Sequence, residues 1–551
     1  MGGALSTKEK NELEWQKFND SLGSQLESNP HLESITKILS LSYDDLPHYL
    51  KSCFLYSAIF PEDYSINCGR LIRLWIAEGF VKGKKGRTLE QVAEEYLTEL
   101  IHRSLFQLSD VDHRGKIRSC RVHDLMREII LKKAEELSFC RVLGEEDSSF
   151  DGKFRRGSVK KSTDDVVETM NRNSQIRSIL LFDIDAVPRL FTGASLTNFK
   201  LLKVLDFEDS PLCCVPEDLG NLFHLTYLSL RKTKVKMLPK SIGKLQNLQT
   251  MDLKHSLVDA LPFEIKKLQK LRHILAYTYD YHPERQCLSV RGILVGKGIG
   301  SMLDLQKLCY VEANHGMGLI EELGNLRQLR KLGITNLTEE DGPSLCASIS
   351  NMKHLESLCI FSKDDDILKL ETISCPPSDL RSLYLQGCLS RLPEWLPTLR
   401  SLVCVCFGRS RLSYDPMEVL QALPNLLELG LFNAYDGECL CFEVLTFQKL
   451  KHLLLYDMRG LKTLKIHKGA LPLLEHLEIG GPQMGDVPSD IRLLKSLTRI
   501  DFWGMPREFA YSMLPEDGQH YHIVEHVPNV FFHFSQFGGY STQRLRKPPK
   551  I

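Results

Sequence analysis

The stretch "LRSLYLQGC", residues 380–388, sets leucines at positions one, four and six and ends on a glycine and a thiol. The same L-x-x-L-x-L spacing returns along the chain at an interval of about 24 residues. Clear copies begin at Leu225, Leu248, Leu329, Leu355, Leu426, Leu450 and Leu474, and weaker ones at Ile176, Leu202, Leu271, Leu305, Leu399 and Leu497. With the quoted copy, about fourteen are present. Strict alternation would not send all three leucines to one side of a strand. A bend in a short, curved strand does, so the leucines turn inward while the residues between them face the concave side. Cys388 then falls at the turn position, where a small polar or thiol side chain caps the backbone.

Many copies continue as "LPxxIGxLxxL", for example "LPKSIGKLQNL" from Leu238 and "VPSDIRLLKSL" from Val487, which forms the return side of each coil. One coil cannot bury its own leucine face, so stacking supplies the stability and the array is a leucine-rich-repeat solenoid. At about 4.8 Å between strands, the coils make a strand row on the order of 60 Å long. Such a surface suits recognition of a macromolecule rather than catalysis.

The interval from Leu271 to Leu305 is 34 residues, which predicts a protruding loop around "YTYDYHPERQCLSVRG". Such a loop is either a carrier of function or a neutral insertion. The nearby "GILVGKGIGS" resembles a phosphate loop only superficially, because its glycines and Lys297 do not follow G-x-x-x-x-G-K-[ST]. Between the second and third motif leucines stand Ser229 and Asp252, then Cys309, Gly333, Cys359, Tyr384, Gly430 and Leu454, then Glu478 and Asp501. A less polar middle between acidic ends makes Asp252, Cys359, Tyr384, Leu454 and Glu478 candidate partner-binding residues; ordinary variation along the repeats is the competing reading.

The chain has 551 residues, 43% of them apolar, enough for more than one domain. Lys plus Arg equals Asp plus Glu at 70 each, so no overall field favours nucleic acid or an anionic membrane. None of the 16 cysteines forms a C-x-x-C pair and most sit in apolar runs, the usage of a reducing compartment rather than of a metal or disulfide framework. No window reaches the about 18 apolar residues of a membrane span, and an N-terminal secretory h-region is lacking. The expected location is cytoplasmic. "MGGALS" fits the myristoylation pattern at Gly2, which would add peripheral plasma-membrane attachment; chance occurrence of a short glycine pattern is the alternative.

Before the repeats the periods are helical. Helices are expected in "STKEKNELEWQKFNDSL", in "LESITKIL", after Pro47, in "GRLIRLWIAEGF" up to Gly79, and from Thr88, where Thr88 and Gln91 have capping-box spacing. Two extended runs around Gly115 follow, and helices with such a hairpin make a winged helix. "VHDLMRE" places His123 and Asp124 where the second strand meets the next helix, among unsatisfied N–H groups. Either Asp124 caps the helix with His123 packed beside it, or His123 is a phosphate contact at the helix N-terminus.

In order, "LSLSYDDLPHYLKSCFLYSAIFPEDY", "LIRLWIAEGFV", "VHDLMRE" and the repeats resemble the C-terminal two-thirds of plant nucleotide-binding leucine-rich-repeat disease resistance proteins of the coiled-coil class. The resemblance implies that Val122, His123 and Asp124 match the family's Met-His-Asp motif, whose histidine touches the β-phosphate of bound ADP. His123 is then the phosphate sensor and Asp124 its orienting partner and helix cap. The stretch from Cys53 resembles the motif that packs the winged helix onto the nucleotide-binding core. The family's P-loop, acidic Walker B strand, "GLPLA" block and coiled-coil domain have no match, and "GGALSTKEKNELEWQKF" looks like the text that follows "GLPLA", so the chain reads as N-terminally truncated.

The expected class is therefore α/β: a residual helix of the nucleotide-binding unit (1–30), a winged helix (31–141), a charged linker (142–170), a solenoid (171–514), and a C-terminal cap with a basic tail (515–551). The expected function is that of an intracellular immune receptor, or a fragment of one, recognising pathogen effectors or effector-modified host proteins and contacting its own nucleotide-binding unit. A nucleotide-independent scaffold or decoy is the alternative. ADP or ATP belongs to a full-length receptor; this chain alone is expected to hold neither, since a lone histidine supplies about 1.5 to 3 kcal/mol, far short of millimolar binding. DNA binding through Arg70 and Arg73 is disfavoured by the apolar character of their helix, and no catalytic set is apparent.

Overall fold

A computed structural model describes residues 40–143, 154–160, 175–188, 198–282, 287–313, 318–480, 487–515, 518–536 and 539–545, with single positions 166, 170, 173, 191 and 196. The two helices expected before residue 40, Gly2, most of the 142–170 linker and the last six residues lie outside these. The chain divides into two compact units. One comprises residues 1–111, 117–212 and 221–229; the other comprises 112–116, 213–220 and 230–551.

In the first unit, helix α1 (His48–Leu55) opens behind Pro47 and continues as a 3-10 turn, Tyr56–Ile59. A short strand, β1 (Ile66–Asn67), leads into α2 (Cys68–Glu78), where the Asn67 side chain accepts the Arg70 N–H at 3.0 Å. Gly79, at φ 84°, ends α2 in the left-handed conformation that a Cβ would strain. Helix α3 (Leu89–His102) begins with the expected capping box between Thr88 and Gln91. The wing strands β2 (Phe106–Val111) and β3 (Ile117–Val122) pair antiparallel, and β1 joins the free edge of β3. Helix α4 (Asp124–Glu136) follows.

Trp75, Tyr56, Phe54 and Phe60 are fully buried in this core, and Leu180, Val204 and Tyr227 belong to the same cluster. The first parallel strands of the repeat row, Arg141–Leu143, Arg156–Val159, Ser178–Leu181, Val204–Asp206 and Tyr227–Ser229, are therefore part of the winged-helix unit. The first two precede every L-x-x-L-x-L copy; their sequences, "RVL" and "RGSV", carry no leucine triplet to betray them.

The second unit stacks one parallel strand per coil, from Thr250–Asp252 to Asn529–Gln536. Motif leucines fill its interior: Leu380, Leu383 and Leu385 are at most 1% exposed. Burying a leucine contributes about 1.5 to 3 kcal/mol, so each triplet is a strong local anchor. The return side is built of short 3-10 turns that begin after prolines, such as Lys240–Lys244 and Ser489–Leu493. Within the long 271–305 interval lies an antiparallel hairpin, Thr278–His282 against Cys287–Arg291. The aromatic tail continues the row: Asn529–Gln536 pairs parallel with Arg499–Trp503, and Gly539–Arg544 closes against it antiparallel.

One repeat is set three residues later than its expected start. Val405 pairs with Leu383 and Phe407 with Leu385, so the motif begins at Leu402 rather than Leu399. The inward positions accept Val and Phe because burial, not leucine identity, defines them, and both are fully buried.

Candidate functional site

At the N-terminus of α4, His123 rather than Asp124 is the capping residue. Its Nδ1 accepts the Leu125 N–H at 3.3 Å, and its carbonyl accepts from the Arg127 N–H at 2.9 Å. Asp124 is the first helical residue, exposed, where a negative charge meets the positive end of the helix. The expectation of Asp124 as the cap is thus corrected: with His123 in the extended conformation, its ring nitrogen reaches the orphan donor first. An Nδ1 that accepts leaves Nε2 as the protonated nitrogen, a donor on a half-buried ring. Behind it, buried Arg127 donates to the Phe60 carbonyl at 2.7 Å and ties α4 to the turn after α1.

The two arginines of α2 are not a nucleic-acid surface. Arg70 and Arg73 are 3% and 7% exposed. Arg70 pairs with Asp206 at 2.7 Å and Glu208 at 2.7 Å, and donates to the Tyr64 hydroxyl at 2.9 Å. At the other end of α2, Glu78 meets Arg156 at 2.9 Å and accepts from the Ser178 hydroxyl. The Arg156 guanidinium lies 4.1 Å from the Phe139 ring centre and 5.0 Å from that of Phe80. These charges join α2 to the first repeat strands, and none is offered to a ligand.

In the second unit the glycine-rich segment 292–300 does form an anion cradle, but it is filled from within. The Glu322 carboxylate accepts the Gly298 N–H at 2.8 Å and the Gly300 N–H at 3.0 Å. A carboxylate from the next coil sits where a phosphate would be needed.

Cys359, Tyr384, Leu454 and Glu478 fall on one register row of the strand surface, while Asp252 aligns through Leu275 with Cys309, beyond which a register shift interrupts the row. Cys406 belongs to that row as well and was hidden by the three-residue register error. Their surroundings differ. Asp252 is 2% exposed and paired with Lys254 at 3.3 Å, so it presents almost no carboxylate surface. Cys359, Tyr384 and Leu454 are half-buried, and burial raises the Cys359 thiol and the Tyr384 hydroxyl. Aromatic rings run along the middle: Tyr277 to Tyr310 at 5.2 Å, Tyr310 to Phe361 at 5.6 Å, Phe361 to Tyr384 at 5.1 Å. Glu478 binds His452 at 3.0 Å and Trp503 at 3.1 Å; burial raises its carboxyl, but the His452 bond and the neighbouring His476 bring it below the usual range. His452 and His476 were missed in the sequence, although each occupies the third motif position of adjacent copies, "LKHLLL" and "LEHLEI".

A winged helix and a stack of leucine-rich coils define a leucine-rich-repeat protein, a class built for contact with other proteins. Residues 175–510 match the family described as a leucine-rich repeat region, and residues 59–130 the disease resistance protein winged helix domain. The chain belongs to the leucine-rich-repeat proteins, and within it residues 59–130 are similar to the winged helix of disease resistance proteins. It is 34% identical over 550 residues to the disease resistance protein RPM1 of Arabidopsis thaliana, covering 98% of this chain and 58% of that protein. With the probable disease resistance protein At1g58390 of the same plant it shares 30% over 560 residues, covering 98% and 59%. The chain thus spans about three fifths of the length of these relatives. A leucine-rich-repeat protein of Leptospira interrogans, LIC12759, aligns with a TM-score of 0.42 at 20% identity over 65% of this chain and 92% of that one. No described helix is long and apolar enough to cross a membrane.

Proposed function

We propose that this chain is the regulatory and recognition portion of a plant immune receptor. The half-buried aromatic, thiol and aliphatic row of the second unit docks a protein, either a pathogen effector or a host protein altered by one. The winged helix supplies His123 to a nucleotide switch. The observation that carries this reading is the capping geometry of His123: Nδ1 is committed to the Leu125 N–H, so Nε2 is left as a donor fixed at a helix N-terminus, which suits a phosphate oxygen. When bound, ADP or ATP would supply the charge that this donor senses, and His123 is the residue of this chain that fits it. The expected site of action is the cytoplasm, the role is binding rather than catalysis, and this chain alone holds no nucleotide.

The second reading, a nucleotide-independent scaffold or decoy, is favoured by the Glu322 carboxylate filling the glycine cradle. Transient expression of the Asp124→Val form in leaves separates the two. Cell death supports a switch; silence supports the scaffold. Cell death with the wild-type chain at the same level would remove the switch reading altogether.

A further inference from the structure

The second unit carries a histidine cluster that the recognition reading does not use. His452 and His476 occupy paired positions on adjacent parallel strands, with ring centres 4.4 Å apart and planes within 6°. His113, in the 112–116 segment of the same unit, lies with its ring centre 3.9 Å from that of His452 and 5.2 Å from that of His476. One nitrogen of each ring falls within 4.8 Å of those of the other two. His452 and His476 are 4% and 8% exposed, and His113 is exposed.

Two buried or half-buried carboxylates stand behind the strand histidines. His452 Nε2 bonds Glu478 at 3.0 Å, and His476 Nε2 bonds Asp501 at 2.7 Å. Both carboxylates are themselves held. Glu478 takes the Trp503 indole N–H, while Asp501 takes Arg499 at 2.8 Å and His533 at 2.8 Å. Bonded to these carboxylates, the Nε2 atoms act as donors, which leaves Nδ1 of each ring on the acceptor side. His452 Nδ1 is buried and has no hydrogen-bond partner, an unfavourable state in a closed interior.

Imidazoles that present one nitrogen and donate the other to a carboxylate form the arrangement that binds and tunes a metal ion. We infer that His113, His452 and His476 hold a divalent transition ion of the zinc type, with Glu478 and Asp501 as positioning residues. Imidazole suits zinc, copper and nickel, and three such ligands leave one coordination position for water. Zn–N bonds of about 2.0 to 2.1 Å require the two parallel strand rings to tilt toward each other and the exposed His113 ring to swing in. The ion would satisfy the orphaned His452 Nδ1 and staple residues 112–116 to the strands at 452 and 476.

The test uses the full chain, stripped with chelator and titrated with Zn²⁺ against a chromophoric competitor, and then with Co²⁺. One ion per chain is expected, with a visible cobalt spectrum lacking thiolate charge transfer. His113→Ala, at an exposed position, should weaken binding at least about tenfold, and Glu478→Gln about tenfold while keeping the cobalt spectrum. Zinc should also slow hydrogen exchange at residues 112–116. Cys441→Ser must leave binding unchanged, because Cys441, Glu443 and His467 form a separate, more exposed cluster. Absence of zinc binding, equal affinity in wild type and H113A, or loss of binding in C441S would each overturn the inference.

Discussion

The two units treat their charges in opposite ways. Around α2, the pairs Arg70–Asp206 and Glu78–Arg156 have side chains 0 to 5% exposed, and the Arg156 nitrogen without a hydrogen-bond partner, Nε, belongs to a guanidinium covered by aromatic rings. Around His452 and Glu478, the polar groups are also networked, yet one nitrogen is left over and the carboxylate stays 21% exposed. A closed network contributes position and nothing else. An unfinished one has capacity for a further ligand, and the same contrast separates buried Asp252 from Tyr384, half-buried on the recognition row.

Breaking the closed network should give the largest effect. Glu78→Ala strands the Arg156 cation in the interior and should destabilise the first unit by about 3 to 5 kcal/mol, read as a lower urea midpoint in fluorescence from buried Trp75. Glu78→Leu combined with Arg156→Met should recover most of that loss, since the pair's removal as a unit avoids the stranded charge. If the single and double variants unfold alike, the Arg156 cation is not stranded by loss of Glu78.

Glu322→Ala should cost about 1 to 3 kcal/mol by orphaning the N–H groups of Gly298 and Gly300, seen as faster amide exchange at those two residues. Smaller still, His123→Ala should cost about 1 kcal/mol as a lost cap, and Asp124→Ala only about 0.3 to 1 kcal/mol as a lost charge at the helix end. The reverse order in thermal unfolding would return the capping role to Asp124.

The smallest effect concerns pH. Burial, then the neighbouring Arg231 and Lys254, hold the His255 imidazole below its ordinary value. An unfolded histidine near 6.5 binds the proton more readily, so this contribution to stability is complete above about 6.5 and is lost as pH falls toward the folded value. His255→Gln should flatten that decline in unfolding midpoints measured between neutral and mildly acid pH.

The sequence by itself determined what repeats locally. The leucine spacing named the solenoid, Thr88 with Gln91 and Gly79 marked helix ends, Gly115 the wing, and the blocks from Leu39 to Glu128 the family resemblance, because caps, turns and strand periods are decided by residues a few positions apart. Tertiary structure alone decided what crosses coils. Arg70 meets Asp206 across 136 residues, His476 meets Asp501 across 25, and Glu322 reaches back 24 to fill the glycine cradle. Even Cys406 was hidden, because its place on the row depends on which inward position the preceding coil pairs with. Coil lengths vary between repeats, so which side chains become neighbours on adjacent strands depends on the summed length of every intervening turn, and that sum is settled only when the leucines pack.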